Sequence, residues 1–231
     1  MIKLSKRLQA VANMMPKCES MADICSDHAF LPIYLVQNNI CKNAIAGDIA
    51  KGPCEQGERQ VKKYQLSNNI EVRCGSGLTV LRKKEVNGVV IAGVGGATII
   101  EIFDNRREIV STLDFLVLQP QNAYGALREY LAHNGFSVIN ESLVIENDIV
   151  YQILLVKKGK MKINSWLEAE YGKINILSKS AELHYLLNLD LKHYKKVLNQ
   201  LKSAKTTTLY DKISHIMAII EDIEKLLSDM K

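Results

Sequence analysis

SVINESLVIENDIVYQILLV, residues 137–156, decides the fold. Two apolar runs, 137–145 and 149–156, flank Glu146, Asn147 and Asp148, residues suited to a reversal, so the stretch reads as a β-hairpin. Upstream the pattern differs. Apolar runs at 20–25, 43–48, 69–74, 86–92 and 113–118 have the length of buried strands, and helical spacing such as Ile33, Leu35 and Val36, or Val61, Tyr64 and Leu66, separates them. That alternation predicts a parallel sheet covered on both faces, because parallel neighbours need a crossover. A last helix, AYGALREYLAHNGF, stops at Gly135, and the hairpin then adds an antiparallel pair to the parallel sheet. The expected architecture is α/β, a Rossmann-like, mostly parallel sheet whose last strand is antiparallel.

Composition changes at Lys157, where KKGKMK forms a charged link and strand signals end. Leu187, Leu191, Tyr194, Leu198 and Leu201 step by four and three, as do Leu209, Ile213, Ile216, Ile220, Ile223 and Leu227. Each series is an a/d seam. With SAKTTT as the break and Thr208 as helix cap, the reading is an antiparallel coiled-coil hairpin, close in geometry to an ordinary packed helix pair. The expected domains are 1–157 and 158–231.

At 231 residues and 47% hydrophobic content the chain can bury a full core, which excludes a disordered or fibrous class. No stretch has signal-peptide character or reaches ~18 consecutive apolar residues, so a soluble cytoplasmic protein with no membrane partner is expected. Five cysteines without a C-x-x-C predict reduced thiols and no metal. The net charge of +5 suits a phosphate-rich partner without separating a nucleic-acid binder from a basic enzyme.

Ligands of open parallel sheets sit beyond the carboxyl ends of the strands. Here those ends carry Ser26, Asp27 and His28 after the first strand, Asp48 after the second and Gly75, Ser76 and Gly77 after the third. Gly93, Val94, Gly95 and Gly96 follow the fourth, and Gln119, Pro120, Gln121 and Asn122 the fifth. A carboxylate ending the second strand can take two hydrogen bonds from a ribose diol, and glycines let a ligand approach the backbone. A nicotinamide dinucleotide would need G-x-G-x-x-G after the first strand, a loop that has no glycine here. S-adenosylmethionine has a charged amino-acid end, a diol and an adenine, which mixed polar and acidic loops meet better.

ADICSDHAFLP, AIAGDIAKGP, VRCGSGL, IAGVGG and LVLQPQ, in this order and after LSKRL, resemble the bacterial tRNA (adenine-22-N1)-methyltransferase family, TrmK. The resemblance covers essentially the whole chain and is strongest over residues 4–122. It implies a class I methyltransferase fold, S-adenosylmethionine as cofactor and N1 of a tRNA adenine as acceptor. Two departures stand out: Cys25 replaces a usual glycine, and Ser76 replaces an aspartate between two glycines. Both should lower cofactor affinity.

The candidate cofactor residues are Asp23, Ser26, His28, Asp48, Ile49, Gly75, Ser76, Gly77, Gly93 and Gly95. Asp23 would pair the ammonium of the methionine end or serve as a loop-capping carboxylate. Ser26 and Asp27 could instead cap the following helix, and His28 could be a structural imidazole. Gly75 and Gly77 could form only a turn, and Gly93 to Gly96 a tight helix entry. Adenine N1 carries its lone pair at neutral pH, so transfer needs positioning more than a base. Asp27 and Gln119 are the catalytic candidates, the former beside the developing positive charge and the latter toward the exocyclic amine, unless it only ties down the Pro120 turn. A base inside folded RNA must be turned out, which calls for distant phosphate contacts. Lys3, Lys6 and Arg7, with Lys192, Lys195, Lys196, Lys202 and Lys205, are candidates for these, or a solvated face. Other classes remain open: a non-catalytic RNA-binding protein on the same fold, or a small-molecule methyltransferase whose hairpin dimerises. A monomer is the simpler expectation.

Overall fold

The structure, a computed structural model, describes residues 2–203 and 209–230. Most of the SAKTTT break, with Lys205 and the expected cap Thr208, lies outside the described residues. The chain divides at Glu170/Tyr171 into two compact units, somewhat beyond the composition change at Lys157.

The first unit holds one seven-stranded sheet in the order β3-β2-β1-β4-β5-β7-β6. The strands are β1 (Cys18–Ile24), β2 (Cys41–Asp48), β3 (Ile70–Cys74), β4 (Gly88–Val94), β5 (Phe115–Pro120), β6 (Phe136–Glu146) and β7 (Ile149–Lys158). Strands β1 to β5 pair in parallel; β7 inserts antiparallel between β5 and β6. Helices α1 (Lys6–Met14), α2 (Phe30–Gln37), α3 (Lys51–Lys63), α4 (Gly96–Asn105), α5 (Arg107–Val110), α6 (Tyr124–His133) and α7 (Trp166–Tyr171) complete the order, α7 crossing the division between units. Successive strand residues alternate between two apolar layers, Met21, Val90 and Val117 in one and Ala22, Val89, Ile91, Leu116 and Leu118 in the other. Burial on both faces is why these strands read as continuous apolar runs rather than as alternating ones.

The hairpin is longer than its sequence signal and its loop shorter. Glu146 pairs with Ile149 in the ladder, leaving a two-residue loop, Asn147 and Asp148 at φ of 51° and 62°. Two left-handed residues match the right-handed twist of the flanking strands, and Asn and Asp tolerate that region. A buried guanidinium locks the hairpin to α6: Arg128 donates to Glu141 at 2.7 and 2.8 Å, to Gln152 at 2.7 Å, and to the carbonyls of Ala169 and Glu170. No periodicity signals that network.

The second unit contains α8 (Lys173–Ser178), α9 (Ala181–Ser203) and α10 (Tyr210–Asp229). Leu187, Ile220 and Ile223 are buried, with Leu191, Leu198, Leu201, Ile213, Ile216 and Leu227 half-buried. Lys195 pairs with Glu224 at 2.6 Å and Lys179 bonds the carbonyl of Asp229, so α9 and α10 run antiparallel. No helix among the described residues is long and apolar enough to cross a membrane.

The expectation of five reduced thiols holds for Cys18, Cys25 and Cys41 and fails for the other two. Cys54 on α3 and Cys74 at the end of β3 are joined as a disulfide, with Cα atoms 6.0 Å apart. Their separation of 20 residues in the chain carries no recognisable pairing pattern, and only the packing of α3 on β3 brings the two sulfurs together.

Gly88 lies opposite Phe115 in the β4–β5 ladder, and a Cβ there would meet the Phe115 ring at 2.3 Å. We expect Gly88→Ala to lower the unfolding free energy by about 1–3 kcal/mol through overpacking. A urea midpoint equal to the parent's would show that the ring moves aside without cost.

Candidate active site

Because β1 pairs with β2 on one side and β4 on the other, chain connections leave it in opposite directions, opening a crevice at the tips of β1 and β4. Asp23, near the end of β1, sits at that point and is only 5% exposed. Burial pushes its carboxyl up from the usual 3.8 to about 7, and the neighbouring Asp48 pushes in the same direction. A hydrogen bond from Ser26 Oγ at 2.7 Å and the charge of Arg7 pull the other way.

The loop after β1 is strained. Cys25, Asp27 and Ala29 all adopt left-handed backbone, at φ of 65°, 50° and 57°. This region costs non-glycine residues about 1–2 kcal/mol each, which is the physical reason a glycine suits the place of Cys25. Burial, followed by the charges of Asp48 and Asp23, raises the Cys25 thiol to about 11, so it is protonated and inert as a nucleophile near neutral pH. Helix α2 begins only at Phe30, with Ala29 as its N-cap, so neither Ser26 nor Asp27 caps it. Ser26 binds Asp23, and Asp27 is exposed with His28 Nε2 3.3 Å from its carboxylate. The His28 ring also lies 5.3 Å from that of Phe30.

Asp48 closes β2. Its Oδ2 accepts the Asp27 amide at 3.2 Å and its Oδ1 the Ala50 amide at 2.9 Å, so the strained loop and the start of α3 hold the carboxylate from two sides. Each oxygen keeps a further lone pair. Ile49, beside it, is 72% exposed, an apolar face next to a fixed acid. The Gly75 amide donates to the Asp48 carbonyl at 2.9 Å, bringing the Gly75, Ser76 and Gly77 turn to the same place.

At the tip of β4 the ladder with β5 shifts register between Ala92 and Val94, and Gly93, at φ 82°, makes the bulge. A Cβ on Gly95 would displace only the Asn122 side chain, 2.9 Å away, whereas one on Gly96 would stand 2.8 Å from the Asn122 and Ala123 carbonyls, so Gly96 is what lets the entry of α4 pack against the loop after β5. Gln119 is fully buried. Its Nε2 donates to the Pro120 carbonyl at 2.9 Å and its Oε1 accepts from Arg7 Nη1 at 2.6 Å, so both ends of the amide are occupied within the fold.

Arg7 takes a different course from the other two N-terminal cations. Lys3 and Lys6 are exposed, whereas the Arg7 guanidinium turns inward to Gln119 and lies against Gly93. Nothing in KLSKRL separates the three cations by pattern; only the seating of α1 does. In the second unit Lys196 and Lys202 are exposed, and Lys195 is taken up by Glu224. A cavity of about 560 Å³ opens at the amino ends of the strands, but its guanidinium, Arg73, is held between Glu71 and Glu85. No cluster of three metal-ligating side chains occurs among the described residues.

This strand order, with acids ending β1 and β2, defines a methyltransferase domain, and the family model of that description matches residues 4–154. A curated relative, the tRNA (adenine(22)-N(1))-methyltransferase of Bacillus subtilis (strain 168), is 41% identical over 158 residues, 68% of this chain and 66% of that enzyme. The crystal structure of the B. subtilis m1A22 tRNA methyltransferase TrmK superposes with a TM-score of 0.90 at 32% identity, covering 98% of this chain and 100% of that one. M. capricolum TrmK in complex with S-adenosylhomocysteine gives a TM-score of 0.84 at 29% identity over 99% of both chains. The chain belongs to the TrmK family.

The raised Asp23 carboxyl sets a pH dependence. Between about pH 4 and 7 the folded protein holds a proton there that the unfolded chain releases, so Asp23 costs nothing below that window and destabilises increasingly as pH rises through it. Relative to Asp23→Asn, the parent should therefore lose stability between pH 4.5 and about 7. Parallel denaturation curves for the two proteins across that range would argue against a neutral Asp23.

Proposed function

We propose that the protein transfers a methyl group from S-adenosylmethionine to N1 of adenine 22 in tRNA. The observation that carries this reading is the placement of Asp23 and Asp48 at adjoining strand tips, in a chain whose whole-length relatives include a tRNA (m1A22) methyltransferase.

The donor set suits the cofactor. Asp48 offers lone pairs to a ribose diol, Ile49 an apolar surface to adenine, and Asp23 a carboxylate to an ammonium. Gly75, Ser76 and Gly77 border the adenine end, where Ser76 offers a neutral hydroxyl. Ser26 and His28 line the loop over the amino-acid end, and Gly93 keeps the β4 tip free of a side chain. When bound, S-adenosylmethionine supplies a methyl group made electrophilic by its positive sulfur.

The chain's own part in the reaction is positioning. Adenine N1 needs orientation and removal of water rather than a base, and the ring becomes positive as the methyl is gained. Asp27, an exposed carboxylate at the lip of the crevice, supplies the negative charge that favours that product. Gln119 acts indirectly, by holding Arg7 and the Pro120 carbonyl. The target adenine must leave its stack, so contacts elsewhere hold the tRNA. Lys3 and Lys6 on the N-terminal segment, with Lys195, Lys196 and Lys202 on α9, are the proposed phosphate contacts, which makes the helical hairpin a tRNA-binding element. The protein works as a monomer in the cytoplasm, where its substrate resides.

Purified protein, S-adenosylmethionine and unmodified tRNA should yield N1-methyladenosine at position 22, read by nucleoside mass spectrometry and mapping of the modified site. Unmodified tRNA, with binding retained, would leave an RNA-binding protein in its place. Asp48→Ala should raise the Kd for S-adenosylhomocysteine by about 10-fold or more, the loss of charged hydrogen bonds to the diol. A calorimetric Kd within twofold of the parent's would move the ribose elsewhere.

A further inference from the structure

We propose that the Cys54–Cys74 disulfide is a thiol–disulfide exchange site for a dithiol reductant, and that its state sets how firmly the loops at the tips of β2 and β3 hold the methyl donor. The proposal deepens the cofactor reading above and rests on it.

The bond stands among the elements that carry those loops. Cys74 is the ladder partner of Asp48, and Gly75, Ser76 and Gly77 follow it directly. Cys54 lies on α3, and its amide donates to the carbonyl of Ala50, whose own amide holds Asp48 Oδ1 at 2.9 Å. Cys54 Sγ is 3.4 Å from the Asp48 carbonyl oxygen, which also accepts the Gly75 amide. The cross-link thus closes a ring from Asp48 through the entry of α3 and back across the β2–β3 ladder. Closed, it fixes Asp48 and the Gly75 to Gly77 turn relative to each other before a ligand binds. Opened, only noncovalent contacts tie α3 to the turn, and binding must bear the cost of ordering them.

The two sulfurs differ in access and in chemistry. Cys74 is exposed and Cys54 buried, so an incoming thiolate meets Cys74. Its sulfur bonds to Cys74 Sγ as the bond to Cys54 breaks, and the electron pair leaves on Cys54 Sγ, which takes up a proton. Cys54 is the fourth residue of α3, within the first turn, whose N–H groups favour a departing thiolate. The reductant's second thiol then displaces Cys74, so two electrons and two protons pass to the protein and the dithiol leaves as a disulfide. Cys18 and Cys41, ladder partners at the other end of β1 and β2, stay free thiols. In the cytoplasm proposed above, where thiols are kept reduced, disulfides belong mostly to pairs that cycle.

Thiol counting after denaturation and calorimetry with S-adenosylhomocysteine test this, on protein oxidised with glutathione disulfide, its Cys54–Cys74 link verified by peptide mass, before and after dithiothreitol acts on the folded chain. The count should rise from three to five. The Kd should rise about 5-fold or more on reduction, the cost of ordering roughly one backbone residue anew. Cys74→Ser should bind as the reduced parent does and ignore dithiothreitol. A link that never forms under glutathione disulfide would overturn the proposal, as would one that dithiothreitol leaves intact in the folded protein, which would be a structural staple. A Kd for the reduced parent equal to or below that of the oxidised one would uncouple the pair from the site and overturn it as well. Absence of binding in both states would overturn the cofactor reading, and this proposal with it.

Discussion

The parallel pairing of β1 with both β2 and β4 is the constraint on which the molecule depends. It places the first strand at the centre of the sheet and makes its tip the point where connections diverge, so polar groups at that tip face a crevice rather than a packed helix. The same pairing buries Asp23 and drives its carboxyl toward neutrality. Burial that disfavours the ionised carboxyl also places it in a low-dielectric crevice, where charges interact more strongly than in water.

The strand tips are held by backbone hydrogen bonds rather than by bulky packing. Asp48 takes amides from Asp27 and Ala50, and the Gly75 amide returns to the Asp48 carbonyl, so three loops share one anchor. Three left-handed residues in the loop after β1 persist because this anchoring over-determines them. The strain sets the directions in which the loop presents Ser26, Asp27 and His28.

Much of the fold was legible in the sequence because it rests on local periodicity. Buried parallel strands appear as apolar runs, crossovers as helical spacing, and the hairpin as two runs around Asn147 and Asp148. The acids at the ends of β1 and β2 were legible too, since a strand end is a fixed place for a ligand. Four features were not: the two-residue hairpin loop, the Cys54–Cys74 bond, the buried Arg128 network and the inward course of Arg7. Gln119 shows the same limit. A polar residue at the end of the fifth strand reads as open to a ligand, yet it is fully buried, with its amide bonded to Arg7 and the Pro120 carbonyl.

The sequence by itself determined the layer architecture, the order of strands and helices, and the identity of the acids at the strand tips, because hydrophobic spacing and chain order are properties of neighbouring residues. Tertiary structure alone decided which charged groups meet. Arg7 lies 112 positions from Gln119 along the chain and Cys54 lies 20 from Cys74. Whether such groups touch follows from how α1 and α3 seat on the sheet, which depends on the shape of a core assembled from the whole unit rather than on any local pattern.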